Sequence, residues 1–506
     1  MDRSVRRRLG SRDDCEKQQN HKGSASSKWQ SLDCDKLEPY IRSGAIALID
    51  SEWIIRYSKE SKTKPVPHRQ NLPPDALVSL DTLKANVEER GRLPIFALSY
   101  TWLHPNHPDP HSHQLETLAE GLADMMKIVV PDGESEGGMT WQRRKCFLFW
   151  DYLSLYQHPN PQRKVWRSKE ENRLFRQGLD GMKYLYCHKE IRVIRIESFP
   201  PQYPQGYNLP KNANISPYCD RGWPFLETSL SSLNPEMDGT ILLQKGAKRD
   251  TFAQDRDRSP ILAPAYFEEA LQKKTLTNQK DDKPIILQLY KECFEETCAD
   301  ITRLHLFDMS WSDETVSKMA KAVFAAGYTP KLDWLSLQGN FLGAKSCAEI
   351  AAAVKCGNLP SLKHLDLSRN PDIGDKGVAA LAEAMGCINI QVLELVETGF
   401  HDSGCSALVD GLVKTAPSSS LCRLDISGNS FSPAGLGCLG RLVAQCSCLT
   451  DLSLRGSVGE HSKAISSFKE LCKSNGVLAM MDEDDFGLED NDVDSLWSHV
   501  QFGDYS

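Results

Sequence analysis

Apolar positions in the C-terminal part of the chain recur with a long period. Six segments, ITRLHL, LDWLSL, LKHLDL, IQVLEL, LCRLDI and LTDLSL, align as L-x-x-L-x-L. They begin at Ile301, Leu332, Leu362, Ile390, Leu421 and Leu449, in steps of 31, 30, 28, 31 and 28 residues. The alternation is that of a short strand with one buried face, so the leucines turn inward and the residues between them outward. Asn340, Asn370 and Asn429 each stand three residues beyond an L-x-L. Just upstream, Ile286, Leu289, Tyr290, Cys293 and Phe294 fall on one helical face. They predict a cap helix over 284–300, because the first unit of a stacked array otherwise exposes its core.

Residues 29–244 show a second pattern, in which short apolar runs alternate with helical periodicity. Ile95–Tyr100 (IFALSY), Cys146–Trp150 (CFLFW) and Ile191–Ile196 (IRVIRI) read as buried strands, and TILLQ (240–244) as a fourth. Leu115, Leu118, Ala119, Leu122 and Met126 mark one helix, and Leu174, Phe175, Leu179 and Met182 a second. Trp223 and Pro224 open a third, since a first helical turn has no partner for the N–H that proline lacks. The run 47–59 (ALIDSEWIIRYSK) reads equally as strand or short helix, and Pro131–Thr140 as a Gly-rich loop. The alternation implies right-handed crossovers and a parallel sheet. Such sheets place ligands at the carboxyl ends of their strands. Those ends carry Ser99, Tyr100, Thr101 and Trp102, then Asp151, Tyr152 and Ser154, then the loop leading to Arg221 and Glu227. The expected architecture is α/β throughout: a tail over 1–28, an α/β domain over 29–244, a polar linker over 245–283, the cap, six repeats over 301–473 and an acidic tail over 474–506.

At 506 residues the chain has room for two or three domains, and its 40% hydrophobic and 25% charged residues are ordinary for globular protein. A net charge of -8 supplies no global basic field for nucleic acid or an anionic membrane. Charge is uneven: MDRSVRRRLGSR opens the chain with five Arg, and DEDDFGLEDNDVD occupies 482–494. Both read as solvated tails, and the basic one alternatively as a contact for an anionic partner or a weak targeting signal. No run reaches the length of a membrane span, and the N-terminus lacks the apolar core of a secretory leader. Sixteen Cys without a C-x-x-C pair fit buried reduced thiols. The expected compartment is therefore the cytoplasm or the nucleus.

The repeat array resembles the ribonuclease-inhibitor subfamily of leucine-rich repeats, in which each repeat pairs a strand with a full helix and the repeats form a solenoid. In the N-terminal half, FALSYTW (96–102), FWDYLSLYQ (149–157) and RGWPFLE (221–227) occur in the order of the three motifs of heterokaryon-incompatibility (HET) domains. Together with P-x-H-P-D-P at 105–110, they are also similar to protist proteins of that kind. HET domains are regarded as distant relatives of Toll/interleukin-receptor (TIR) domains, so the resemblance, over roughly residues 90–235, implies a TIR/flavodoxin-like fold. The first motif lacks the usual Gly after its Trp, and the second lacks Cys-Ile-Asn. The combined layout is that of an innate-immunity-like sensor without a nucleotide-driven switch module.

For Glu227 the resemblance to NAD-cleaving TIR domains implies stabilisation of a ribosyl cation, a task that suits a carboxylate; NAD is then the candidate substrate. The other reading pairs Glu227 with Arg221 to fix the fold. Trp223 and Glu227, four residues apart, share a helix face. Asp151 is either a ligand-binding group at the sheet's edge or a loop cap, and Trp102 and Tyr100 are stacking platforms or loop anchors. Arg221 and Trp223 complete the ligand-binding set. His104, His107, His111 and His113 with Asp109 suggest a metal loop, but three prolines and the lack of helical i, i+4 spacing argue against a site, and no metal or cofactor is expected. The basic clusters 143–145 and 164–167 read as solvated faces. On the repeats, Arg303, Trp334, His364, Asp366, Glu394, Arg423 and Asp425 line the outward, concave face and are expected to bind a protein or peptide partner. Otherwise the array is a spacer. Self-association would run through the N-terminal domain. The resulting expectation is a recognition and signalling protein, with NAD hydrolysis by Glu227 as the alternative.

Overall fold

The computed structural model describes residues 27–481, except 62–63, 105, 132–138, 160–163, 200–212, 235–239, 245–257, 277, 415–419 and 460–461. The basic tail and the acidic run 482–494 thus lie almost wholly outside the described residues. The N-terminal half contains strands β1 (Leu48–Asp50), β2 (Leu77–Val78), β3 (Ile95–Tyr100), β4 (Lys127–Pro131), β5 (Met139–Arg143), β6 (Phe147–Phe149), β7 (Arg192–Ile196) and β8 (Thr240–Leu242). Six form one sheet in the order β2-β1-β6-β3-β7-β8. β6, β3, β7 and β8 are parallel. β1, however, pairs antiparallel with both β6 and β2, so the sheet is mixed rather than parallel throughout. The 47–59 run is both elements at once: β1 followed by the helix Ser51–Glu60, capped by the Asp50 carboxylate on the Glu52 N–H. β4 and β5 form an antiparallel hairpin that replaces the ends of the expected 131–140 loop.

β3 explains the three-layer build. Its side chains alternate: Ile95 and Ala97 pack with Met182, Leu185, Leu226 and Leu230 of the helices Lys169–Tyr186 and Gly222–Ser231. Leu98 and Tyr100 pack with Trp53, Ile54, Leu115 and Leu118 of Ser51–Glu60 and His113–Met125. Helices therefore cover both faces of the sheet, as a strand apolar at almost every position requires.

The repeats add β9 (Arg303–His305), β10 (Trp334–Ser336), β11 (His364–Asp366), β12 (Val392–Glu394), β13 (Arg423–Asp425), β14 (Asp451–Ser453) and β15 (Leu478–Met480). They form one parallel sheet in strict sequence order, and Leu304, Leu335, Leu365, Leu393, Leu424 and Leu452 are directly in register. β15 is a seventh strand, so the segment expected to begin an acidic tail at 474 first closes the sheet. The asparagines hold successive repeats together. Asn370 is fully buried; its Nδ2 donates to the Leu337 and Leu367 carbonyls (3.1 and 2.9 Å), and its Oδ1 accepts from the Leu342 N–H (3.1 Å). Asn340 and Asn429 repeat the pattern. Thr398 and Ser457 take the same position elsewhere and cover only part of it with a hydroxyl. Replacing Asn370 with Ala strands backbone groups of two neighbouring repeats, and we expect a loss of about 3 kcal/mol in urea unfolding.

The expected linker is structured beyond residue 257. Pro264–Leu271 is a helix that buries Phe267 and Leu271, and the cap helix begins at Gln279, with Pro284 inside it, and runs to Asp300. That helix belongs to both halves. A chain of ring contacts runs from Phe225 to Phe267 (4.9 Å) and Tyr290 (3.8 Å), both stacked, then to Phe294 (6.1 Å, tilted) and Tyr328 (4.9 Å, edge-on), that is, from the α/β half into the first repeat. Lys183, buried on the α/β side, meets Asp180 at 3.1 Å and Glu292 of the cap helix at 3.0 Å. The Trp311 indole N–H, in the first repeat, donates to the Arg258 carbonyl at 2.9 Å. One apolar core accordingly runs through both halves.

Candidate functional site

At the carboxyl ends of β3 and β6 the structure brings Tyr100, Trp102 and Asp151 together. The Asp151 carboxylate accepts from the Tyr100 hydroxyl (2.7 Å), the Trp102 indole N–H (2.9 Å) and the Tyr152 backbone N–H (2.6 Å). Burial pushes the Asp151 carboxyl up to about 6, against the pull of those three hydrogen bonds. Trp102 packs edge-on against Tyr152 at 5.6 Å, and His107 lies 4.8 Å from the same ring. Asp151 thus ties two strand ends together. The histidine loop is likewise fixed internally: His107 contacts the Val66 carbonyl, its Nδ1 accepts from the Asp109 N–H, and buried Asp109 caps the N–H groups of His113 and Leu115. Among the described residues no group of three or more His, Cys, Asp or Glu is placed to hold a metal.

Glu227 faces the sheet from the helix Gly222–Ser231 and is buried. It does not pair with Arg221. The Ser99 hydroxyl donates to its Oε2, and Ser99 in turn touches the Tyr218 hydroxyl (2.6 Å), which reaches Thr228 (3.0 Å). Tyr186, whose hydroxyl donates to the Leu98 carbonyl, completes the cage. Burial, and then the charge of Asp151, raise the Glu227 carboxyl well above the usual carboxylate range, against the pull of its hydrogen bonds to Ser99 and Tyr186. Arg221 clamps loop backbone: its guanidinium donates to the carbonyls of Ser216, Asn214 and Trp102. Trp223 packs on the core, near Asp282 of the cap helix.

The raised carboxyl gives a pH test with a definite sign. A carboxyl whose folded value exceeds its unfolded one stabilises fully below about 4.5 and loses that contribution as pH rises through the folded value. Glu227→Gln cannot ionise. We expect its urea midpoint to gain on wild type from pH 5 to pH 8; a parallel pH profile would show Glu227 to be already ionised in the fold.

The outward face of the repeat sheet is built differently. The Trp334 ring stacks on His364 (4.1 Å, 9°), lies 5.4 Å from His305, and carries the Arg303 guanidinium 5.3 Å above it. His364 Nε2 donates to Glu394 Oε2 at 3.0 Å, and Arg423 Nη2 meets Glu394 Oε1 at 3.3 Å. Burial would raise the Glu394 carboxyl, but the hydrogen bond from His364 and the charge of Arg423 hold it below the usual range. These contacts link β9 to β13 in one row. Asp366 accepts from the Ser336 hydroxyl (2.8 Å) and Asp425 from the Ser427 hydroxyl (2.7 Å), and both carboxyls are raised, chiefly by burial. All seven residues expected to bind a partner therefore share this face, held by contacts with one another or, for Asp366 and Asp425, with neighbouring serines. Next to the row, at the carboxyl ends of β10–β12, is an open cavity of about 250 Å³ that reaches Gln338, Ser368 and Glu397, none of them singled out in the sequence. The available signal was the residue before each asparagine position: glycine at 339, 428 and 456, but Arg369 and Glu397 in the two repeats between.

No helix among the described residues is long and apolar enough to cross a membrane. No curated protein matches the chain. A family model described as Leucine Rich repeat matches residues 358–382, which span β11 and the helix Gly374–Ala382, so this stretch carries the signature of a leucine-rich repeat.

Proposed function

We propose that the protein recognises a protein or peptide partner on the outward face of its repeat sheet. The repeats would form a short solenoid, and the α/β half would serve assembly or signalling in the cytoplasm or nucleus. The observation that carries this is the row Arg303–Trp334–His364–Glu394–Arg423. Trp and Arg are the side chains that most often anchor interfaces, and here they are ordered before any partner arrives, which lowers the entropy cost of binding. For the α/β half, a HET/TIR-like role in assembly is supported by the order of its three motifs and by a core of parallel strands flanked by helices. Its rigid junction with the repeats would fix a bound partner relative to that half. The test is affinity capture with Trp334→Ala/His364→Ala/Arg423→Ala: the fold should persist by circular dichroism and capture should disappear. Unchanged capture by a folded triple variant would remove the sheet face from the account.

A further inference from the structure

We infer that the cavity at the carboxyl ends of β10–β12 receives a lysine or arginine side chain of the partner; this rests on the recognition reading above. Size is the first argument. About 250 Å³ lies below the usual range of small-molecule and cofactor sites and suits one side chain. Charge is the second. Asp366, Glu394 and Glu397 line the cavity with Arg369; Glu394 is already met by Arg423 and His364, which leaves Asp366 and Glu397. Arg369 is drawn elsewhere: its Nη2 lies 3.9 Å from Asp308 Oδ1, in the first repeat. Asp308 crosses the second repeat only because residue 339 is glycine; a Cβ there would sit 2.0 Å from Asp308 Oδ1. Glu397 is exposed and makes no ion pair among the described residues. Asp366 is buried, with only neutral hydrogen-bond donors on its carboxylate, the Ser336 hydroxyl and the Ser368 N–H. A guanidinium or ammonium between Asp366 and Glu397 would complete both, with the Val396 side chain against its aliphatic stem. Backbone geometry supports a use for these charges. Arg369 (φ 56°) and Glu397 (φ 51°) hold a left-handed conformation at the position where neighbouring repeats use glycine, which a charged L-residue adopts only at a conformational cost.

The test uses the full chain and a phage library of random twelve-residue peptides, selected in parallel on wild type, Glu397→Gln, Asp366→Asn and Trp334→Ala, with folding of each variant checked by circular dichroism. We expect wild type to enrich peptides with Lys or Arg at one recurring position. Glu397→Gln, an exposed substitution, should bind those peptides at least ~10-fold more weakly while still binding the same peptides with Gln at that position as wild type does. Two results would overturn the inference: selected peptides that Trp334→Ala loses but that share no basic position, or basic-position peptides whose affinity Glu397→Gln leaves unchanged. If no peptide distinguishes wild type from Trp334→Ala, the recognition reading fails and the inference with it. A divalent cation alone occupying the cavity, read by calorimetry with Ca²⁺ and Mg²⁺ and abolished by Glu397→Gln, would also overturn it.

Discussion

Phe294→Ala should lower the stability of the whole molecule, not of the repeats alone, by about 4 kcal/mol. The side chain is fully buried on the cap helix, tilted against Tyr290 and edge-on to Tyr328. Its removal leaves a cavity where two halves meet, and neither half can close over it without moving the other. The cap helix is also held by Tyr290, whose hydroxyl donates to the Leu262 carbonyl at 2.6 Å, and by Lys183 on the α/β side. Hydrogen-exchange mass spectrometry in urea checks this. Peptides from β3 and from β12 should lose protection at the same urea concentration in wild type, and both should shift down together in Phe294→Ala. A shift confined to the repeats would show that the halves fold independently. Tyr290→Phe, which removes only one hydrogen bond, should cost no more than about 1.5 kcal/mol.

Trp334→Ala alone should weaken partner binding by ~30-fold or more, the usual loss for an aromatic anchor at the centre of an interface. The substitution does more than remove contact area. It takes away the ring on which His364 stacks and over which Arg303 sits, so two further side chains lose their fixed positions. His364 in turn orients Glu394, which holds Arg423. Effects within such a network do not add. Arg423→Ala in the Trp334→Ala background should therefore cost less than in wild type, a double-mutant result that calorimetry with the captured partner reads directly. The stability of Trp334→Ala should change little, since the ring lies outside the leucine core.

The repeats were legible because a strand that buries one face must repeat its leucines at every second position, and six copies kept that rule. β15 was not, because VLAMM lacks the leucine pattern: Leu478 is exposed, and Met480 and Met481 are buried instead. The helix Pro264–Leu271 was hidden because only Phe267 and Leu271 of it are buried, too short an apolar pattern between polar flanks to mark a helix. At the strand ends, the meeting of Trp102 with Asp151 was legible from topology. The position of Glu227 was not, although Ser99 within the apolar IFALSY run was a trace of it: a hydroxyl on a buried strand needs a polar partner. Arg221 could not be separated from a ligand group by sequence, since the carbonyls it clamps come from loop backbone.

Site-specific photo-crosslinking tests the central claim most directly. A benzophenone amino acid replaces Gln338 on the sheet face, or Lys376 on the exposed side of the helix Gly374–Ala382, in otherwise identical full-length chains. The account predicts one dominant adduct from position 338, its loss when Trp334→Ala is added, and none from position 376. The same adduct from 376 but not 338, or an adduct at 338 indifferent to Trp334→Ala, would contradict it.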